Sequence, residues 1–205
     1  MATGPSTAQT PYLVPTRSGV SFTSILSAGE GLPGSPWKLV GLPDGIGAFD
    51  NGNGTITVLL NHELSGNAGI VRAHGSAGAF VDRLVIDIGS LRVLSAGELI
   101  TSGANIFTTD LATGTVYTPG TTAFNHICSA DLAVVSAFFD SVSGLGTTIR
   151  IYLTGEEAGS EGRGFAFVVT GTDAGKAFEL PRLGHLSFEN MVANPGAGSK
   201  TVVAM

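Results

Sequence analysis

Short runs of β-branched and other apolar residues recur along the chain, and most of them end at a glycine, asparagine or aspartate. Glycine accounts for 30 of the 205 residues, whereas only 13% are charged, against about 25% in ordinary soluble domains. Glycine and asparagine accept the positive φ angles of tight turns, and β-branched residues favour strands. Only two short and ambiguous stretches, 130–139 and the residues after Ser95, have any helical character. The pattern therefore predicts an all-β fold.

The clearest local unit is a hairpin, in which Ile46–Phe49 and Thr55–Leu60 flank the turn residues 50–54, with sequence Asp-Asn-Gly-Asn-Gly. Further strands are predicted at 37–42, 69–73, 79–88, 91–94, 148–154, 164–170, 176–180 and 201–204. Two polar stretches, 99–124 and 184–200, are predicted as long functional loops. Short strands without intervening helices are typical of a sandwich, a barrel or a propeller.

Residues 1–20 are predicted as an N-terminal extension, and residues 21–205 as the β domain. The chain stops inside an apolar run, so we expect it to be part of a longer protein. The first twelve residues lack the charged and apolar regions of a signal peptide. A processed chain, a missing targeting segment and a cytosolic protein all remain consistent with this start.

The formal net charge is −6, and the ten Lys and Arg residues are scattered rather than clustered. Nucleic acids are bound through clustered cations, so they are excluded as partners. No apolar run reaches the 18 or so residues of a membrane-spanning helix, which predicts no membrane span. A single cysteine, Cys128, excludes an internal disulfide.

Four segments far apart in sequence place potential metal ligands at strand ends. They are Glu63, Cys128, the pair Glu156 and Glu157, and Glu189. Carboxylates that meet in one cluster require cations to neutralise them. Each residue also has a simpler interpretation: the glutamates as solvated turn residues, and Cys128 as a small core residue. Adjacent strand residues point to opposite faces, so only one of the Glu156–Glu157 pair is expected to face a given site.

An ordered set of motifs resembles the bacterial PhoX-type alkaline phosphatases over about residues 20–205. The motifs are residues 43–55, Asn61-His62-Glu63, residues 71–75, Cys128-Ser129, residues 153–157, and residues 181–184 leading to Phe188-Glu189.

The resemblance implies a partial β-propeller with antiparallel blades, truncated before closure. It implies hydrolysis of small phosphate monoesters, in the periplasm or outside the cell, by a protein that is monomeric at full length. The implied cofactors are Fe(III) and Ca(II), with Cys128 bridging the irons. The carboxylate ligands are Glu63, Glu156 or Glu157, and Glu189. Such ions acidify water and neutralise phosphoryl oxygens, so no dedicated general base is needed.

The sequence departs from this family at two places. Ser129-Ala130-Asp131 follows the cysteine where the family has a Gly-Gly segment. Gly184-His185-Leu186 stands where the family often has Gly-Arg-Phe, which removes a phosphate-binding guanidinium. Arg163, or alternatively Arg72, is expected to supply that group, and Arg163 is the predicted catalytic residue.

Two other function classes are consistent with the sequence. A non-catalytic, calcium-stabilised surface or adhesion propeller predicts Cys128 among apolar side chains. A propeller hydrolase that acts on another ester or a lactone with a single calcium ion predicts a cluster of carboxylates and asparagines without sulfur.

Overall fold

The computed structural model describes residues 1–110 and 113–205 and confirms the all-β prediction. The strands are β1 Ala2–Thr3, β2 Thr23–Ser24, β3 Pro43–Asp50, β4 Thr55–His62, β5 Phe80–Asp87, β6 Val93–Glu98, β7 Ile106–Thr109, β8 Tyr117–Pro119, β9 Ile127–Asp131, β10 Phe139–Asp140, β11 Leu145–Gly146, β12 Ile151–Glu156, β13 Gly164–Val168, β14 Ala177–Glu179, β15 Val192–Ala193 and β16 Val203–Ala204. Single 3-10 turns occupy Gly103–Asn105, Val135–Ala137, Gly159–Glu161 and Pro181–Leu183. Within the described ranges, no helix has the length and apolar character to cross a membrane.

The first large sheet is a four-stranded antiparallel meander in the order β3-β4-β5-β6. The predicted hairpin is confirmed as β3 and β4, with Asp50 paired to Ile56. Its turn depends on Gly52 and Gly54, whose φ angles of 73° and 82° suit glycine and few other residues. The glycine geometry of this turn thus fixes the register of β3 with β4.

The second large sheet has six strands in the order β8-β7-β14-β13-β12-β9. Its pairings are antiparallel except for β14 with β7, which is parallel. Three two-stranded pairs complete the fold: β1 with β2, β10 with β11, and β15 with β16. None of the sheets formed by the described residues closes on itself.

Two strand predictions are wrong, and both predicted loops contain strands, with β15 in the loop predicted at 184–200. Residues 69–73 form bends and irregular chain that lead into a turn at 72–75, where Gly75, at φ 94°, donates from its N–H to the carbonyl of Arg72. Residues 37–42 make only one bridge, from Lys38 to Gly31, outside the named strands. The loop predicted at 99–124 contains β7 and β8, since Ile106 is buried and Phe107 stacks on Phe178 at 4.7 Å. Residues 111–112 of that loop lie outside the described residues.

The main core lies where the two large sheets meet, with β3 and β4 packed against β9. Its largest buried side chains are aromatic and aliphatic: Leu59, Val81, Ile106, Phe124, Ile127, Tyr152, Phe165 and Phe167. A smaller cluster around Leu153, Phe188 and Met191 covers the other face of β12. This packing brings the end of β4, the start of β9 and the end of β12 to one edge of the molecule.

Gly155 of β12 allows the close approach of the segment that carries Glu189. A Cβ atom at this position would lie 2.5 Å from Phe188 Cγ and 3.0 Å from Met191 Sδ. We expect Gly155→Ala to lower the free energy of unfolding by about 1–3 kcal/mol, as overpacking does elsewhere. Urea denaturation measures the loss. Gly97→Ala in β6, where a Cβ meets no atom of the described residues within 4 Å, is the matched control. Equal stability of the two variants would contradict the packing argument.

Candidate metal centre

Three of the predicted ligands converge at the shared strand edge. Glu63 directly follows β4, Cys128 is the second residue of β9, and Glu157 directly follows β12. One carboxylate oxygen from each glutamate and the Cys128 sulfur all lie within 4.8 Å of one another. Strands β9 and β12 are antiparallel neighbours with Ile127 opposite Glu156, so Cys128 and Glu157 lie one residue to either side of that pair and on the same face of the sheet.

The main chain of His126 joins the two loops that carry the glutamates. Its N–H donates to the carbonyl of Leu64 at 2.9 Å, and its carbonyl accepts from the N–H of Glu157 at 2.8 Å. The His126 backbone has φ 48°, a left-handed conformation that is uncommon for residues other than glycine. Its ring contacts the same region, with Nδ1 3.7 Å from Glu63 Oε1. Tertiary contacts therefore hold His126 in a strained geometry beside the cluster.

A buried network of hydrogen bonds holds the main chain at Cys128 in place. Asn61 donates through Nδ2 to the carbonyl of Cys128 at 2.6 Å and to Thr154 Oγ1 at 2.8 Å. Tyr152 OH lies within hydrogen-bonding distance of two acceptors that share its one proton. They are Asn61 Oδ1 at 2.9 Å and the carbonyl of Gly45 at 2.8 Å. Asn61, Tyr152 and Thr154 are fully buried, so each polar atom needs its partner. The network links β3, β4, β9 and β12 and fixes the position of the cysteine.

Glu189 and Asp44 extend the cluster. Glu189 Oε1 lies 4.0 Å from Cys128 Sγ, and the preceding Phe188 N–H donates to the carbonyl of Glu156 at 3.0 Å. Asp44, in β3, was not among the residues predicted from sequence. The register of the hairpin indicates that Asp44 lies near Glu63, because Pro43 pairs with His62, one residue before Glu63. Asp44, the second residue of β3, therefore lies at the edge where β4 ends.

The negative charges act directly on the thiol. Burial, together with the charges of Asp44, Glu189 and Glu63, raises the pKa of Cys128 to about 11, against the opposing hydrogen bond from the Ser129 backbone. A thiol surrounded by carboxylates holds its proton because a thiolate would be repelled. A bound cation reverses that balance, since it favours the thiolate and neutralises the acids together.

The donor set fits a cation in both spacing and chemistry. Metal–ligand distances of about 2.0–2.6 Å allow two ligands of one ion to lie up to about 5 Å apart. The three converging ligand atoms meet that limit without movement of the main chain. Thiolate and carboxylate together suit ferric iron, and the remaining carboxylate oxygens suit calcium.

Glu156 and Arg163 form a separate buried pair. Arg163 donates from Nε to Glu156 Oε2 and from Nη2 to Oε1, both at 2.8 Å. Two main-chain N–H groups, of Asn125 and Arg163, also donate to this carboxylate. Glu156 is 2% exposed, so both of its oxygens are committed inside the protein. The structure therefore places Glu157, and not Glu156, in the cluster with Cys128.

Arg163, the predicted catalytic residue, has few N–H donors left to bind a substrate. Its guanidinium also donates to Thr122 Oγ1 at 3.1 Å and to the carbonyl of Ala123 at 2.8 Å. These bonds leave one of five N–H donors uncommitted. Arg163 acts first as a positioning residue that fixes the strand end before Glu157. Arg72, the alternative guanidinium, stacks on Phe80 and lies 3.9 Å from Glu98.

The raised thiol pKa predicts slow alkylation of Cys128 in metal-free protein. At pH 8 a thiol of pKa 11 has about 100-fold less thiolate than one of pKa 9, and we expect iodoacetamide to react at least about 10-fold more slowly than with an unfolded control peptide. The higher folded pKa also means that this group stabilises the fold below pH 9 and that its contribution is lost as the pH rises towards 11. Mass spectrometry measures the reaction rate. A rate equal to that of the peptide would contradict the arrangement of charges.

Comparison with protein-family models, with curated proteins and with solved structures finds no match to this chain. The geometry of the cluster is therefore the basis of the functional argument.

Proposed function

We propose that this protein is a metal-dependent phosphate monoester hydrolase related to the PhoX-type alkaline phosphatases. The observation that carries the proposal is the convergence of Cys128 with Glu63 and Glu157 within 4.8 Å at one edge of the strands. Two carboxylates and a thiol in such proximity repel one another once ionised. A cation is the partner that makes the arrangement favourable.

The sheet topology supports a propeller architecture as part of this proposal. A propeller blade is a four-stranded antiparallel sheet. The meander β3-β4-β5-β6 has that form, and β9, β12, β13 and β14 are four successive antiparallel neighbours in the second sheet. Strand ends from both groups supply the cluster, as expected for blades that deliver residues to a common axial mouth.

The proposed ions are Fe(III) and Ca(II), with Cys128 and Glu63, Glu157 and Glu189 as the residues that hold them. When bound, such ions supply Lewis-acid stabilisation of the phosphoryl oxygens and acidify water. The chain itself contributes position: the network of Asn61, Tyr152 and Thr154 fixes Cys128, and the backbone of His126 fixes both glutamate loops. A location in the periplasm or outside the cell belongs to the same proposal.

The position of Cys128 separates this proposal from its alternatives. An adhesion propeller predicts the cysteine among apolar side chains, and a single-calcium lactonase predicts a cluster without sulfur. Cys128 instead lies beside carboxylates, with Glu189 4.0 Å from its sulfur. This contact favours a site that uses both sulfur and oxygen ligands.

Metal analysis combined with a phosphatase assay tests the proposal. Protein purified without chelators is expected to contain iron and calcium and to release phosphate from p-nitrophenyl phosphate. Treatment with a chelator is expected to abolish turnover, and addition of both ions to restore it. Calcium alone without turnover would instead support the non-catalytic propeller, and hydrolysis of a lactone but not of the phosphate ester would support the lactonase.

A further inference from the structure

A groove of about 650 Å³ lies at the strand ends of the first sheet, beside the turn at residues 69–75. Residues that line it include Trp37, Lys38, Ile70, Arg72, Phe80 and Glu98. A volume of this size is typical of small-molecule sites. None of these residues belongs to the cluster around Cys128, so the groove requires an explanation of its own.

Arg72 is the unusual residue in this groove. Its side chain is only 10% exposed, and its Nε is buried without a hydrogen-bond partner among the described residues. The nearest carboxylate contact, from Nη1 to Glu98 Oε1, is 3.9 Å, which is too long for a hydrogen bond. A buried N–H group without a hydrogen bond is costly, because it has lost water without gaining an acceptor.

The guanidinium is nevertheless held in one position. Arg72 Cζ lies 4.1 Å from the centre of the Phe80 ring, and His62 stacks on the same ring at 4.2 Å. The Arg72 main chain is fixed by its N–H bond to the carbonyl of Ser76 at 2.9 Å. Because Phe80 covers one face and Nε is buried, the terminal nitrogens Nη1 and Nη2 are the part of the guanidinium left to meet a ligand.

Trp37, which also lines the groove, is held in place by a hydrogen bond. Trp37 Nε1 donates to Asp82 Oδ2 at 2.9 Å, and His62 Nε2 lies 2.9 Å from the same oxygen. The bond to Asp82 fixes the Trp37 ring beside the groove, while His62 and Trp37 together partner the Asp82 charge. Ile70 adds an exposed apolar surface. The groove therefore offers an apolar wall to the body of a ligand.

The charges of the groove favour a monoanion. Lys38 and Arg72 are cationic, and Glu98 supplies one carboxylate, whose Oε2 accepts from the Ala73 N–H at 2.7 Å. One positive charge remains unbalanced along the lining. A planar carboxylate matches the fork of donors on a guanidinium edge, whereas a dianionic phosphate would be repelled more strongly by Glu98.

We propose that this groove binds an organic carboxylate with an apolar body, whose carboxylate accepts hydrogen bonds from Arg72 and whose body packs on Trp37. The site is distinct from the candidate metal centre and does not depend on the proposed phosphatase activity.

Trp37 provides the measurement, because it is the only tryptophan in the chain. Titration of the metal-free protein with cyclohexanecarboxylate, which does not absorb near 280 nm, is expected to give a saturable change in tryptophan fluorescence. Cyclohexylmethanol, the neutral analogue, is expected to bind at least tenfold more weakly, and so is inorganic phosphate. Absence of a saturable signal, or equal binding of the alcohol, would overturn the proposal. Equal binding of phosphate would overturn the carboxylate assignment.

Two variants test whether the fluorescence change comes from binding in the groove. Arg72→Gln is expected to raise the Kd for cyclohexanecarboxylate at least tenfold, and Lys38→Gln at an exposed position at least twofold without affecting folding. Arg17→Gln, which changes an exposed cation in the N-terminal segment, is the matched control and is expected to bind as the unmodified protein does. If Arg72→Gln fails to fold, the Lys38 and Arg17 variants still decide the outcome. Unchanged affinity in both groove variants, or an equal loss in the control, would contradict the site.

Discussion

Replacement of Glu156 by alanine is expected to lower the free energy of unfolding by about 3–5 kcal/mol, the cost of removing one partner of a buried ion pair. The change leaves the Arg163 guanidinium, whose side chain is 20% exposed, without its carboxylate. It also leaves the N–H groups of Asn125 and Arg163 without an acceptor. Urea denaturation measures the loss. Glu161→Ala, at an exposed position a few residues later, is the matched control and is expected to change stability by less than about 0.5 kcal/mol.

A double variant separates the structural role of this pair from a role in catalysis. Glu156→Leu combined with Arg163→Met replaces the ion pair with apolar side chains and is expected to recover the part of the loss that comes from the unpaired guanidinium. The N–H groups of Asn125 and Arg163 stay without an acceptor, so the recovery is partial. If the recovered protein also hydrolyses the monoester, Arg163 serves to position Glu156. A folded and metal-loaded but inactive double variant would instead support the predicted contact between Arg163 and substrate. A loss below about 1 kcal/mol in Glu156→Ala would contradict the structural role itself.

Removal of ligands from the cluster is expected to have the second large effect. Glu157→Gln is expected to weaken metal binding at least about tenfold, since changes even outside the ligand set cost 10- to 100-fold at other metal sites. Cys128→Ser is expected to reduce bound iron more than bound calcium, because the thiolate is the ligand that favours iron. Elemental analysis after dialysis against limiting metal measures both effects, and monoester hydrolysis is expected to fall in parallel.

Glu161→Gln is the control for this experiment, because it removes the same charge from the same segment outside the cluster. If it loses as much metal as Glu157→Gln, the effect is one of general charge and not of coordination. Full iron occupancy in Cys128→Ser would remove the thiolate from the proposed site.

Local sequence signals predicted part of this fold well. The hairpin of β3 and β4 was predictable because its turn residues and its alternating strand are adjacent in sequence. Strands β7 and β8 were missed because they are only four and three residues long and lie in a polar stretch, with glycines at 103, 114 and 120, that resembles a loop. They are held by non-local contacts, such as the stacking of Phe107 on Phe178. Strand propensities of neighbouring residues in the sequence do not include such contacts.

The candidate site shows the same division. Strand-end placement predicted that Glu63, Cys128 and one of the adjacent glutamates would meet. Because side chains alternate between the two faces of a strand, Glu156 and Glu157 were expected to point to opposite faces. The alternation could not decide which of the two faces Cys128. That choice depends on Arg163, whose bidentate bond retains Glu156 inside the protein. Asp44 was missed because its contribution depends on the packing of β3 against β9.

The left-handed backbone of His126 has a mechanical consequence for the cluster. The single residue His126 connects two loops, since its N–H donates to the carbonyl of Leu64, next to Glu63, and its carbonyl accepts from the N–H of Glu157. A displacement of either loop is therefore transmitted to the other through a short, stiff linkage. In the proposed metal site, Glu63 and Glu157 would therefore move together toward a bound cation.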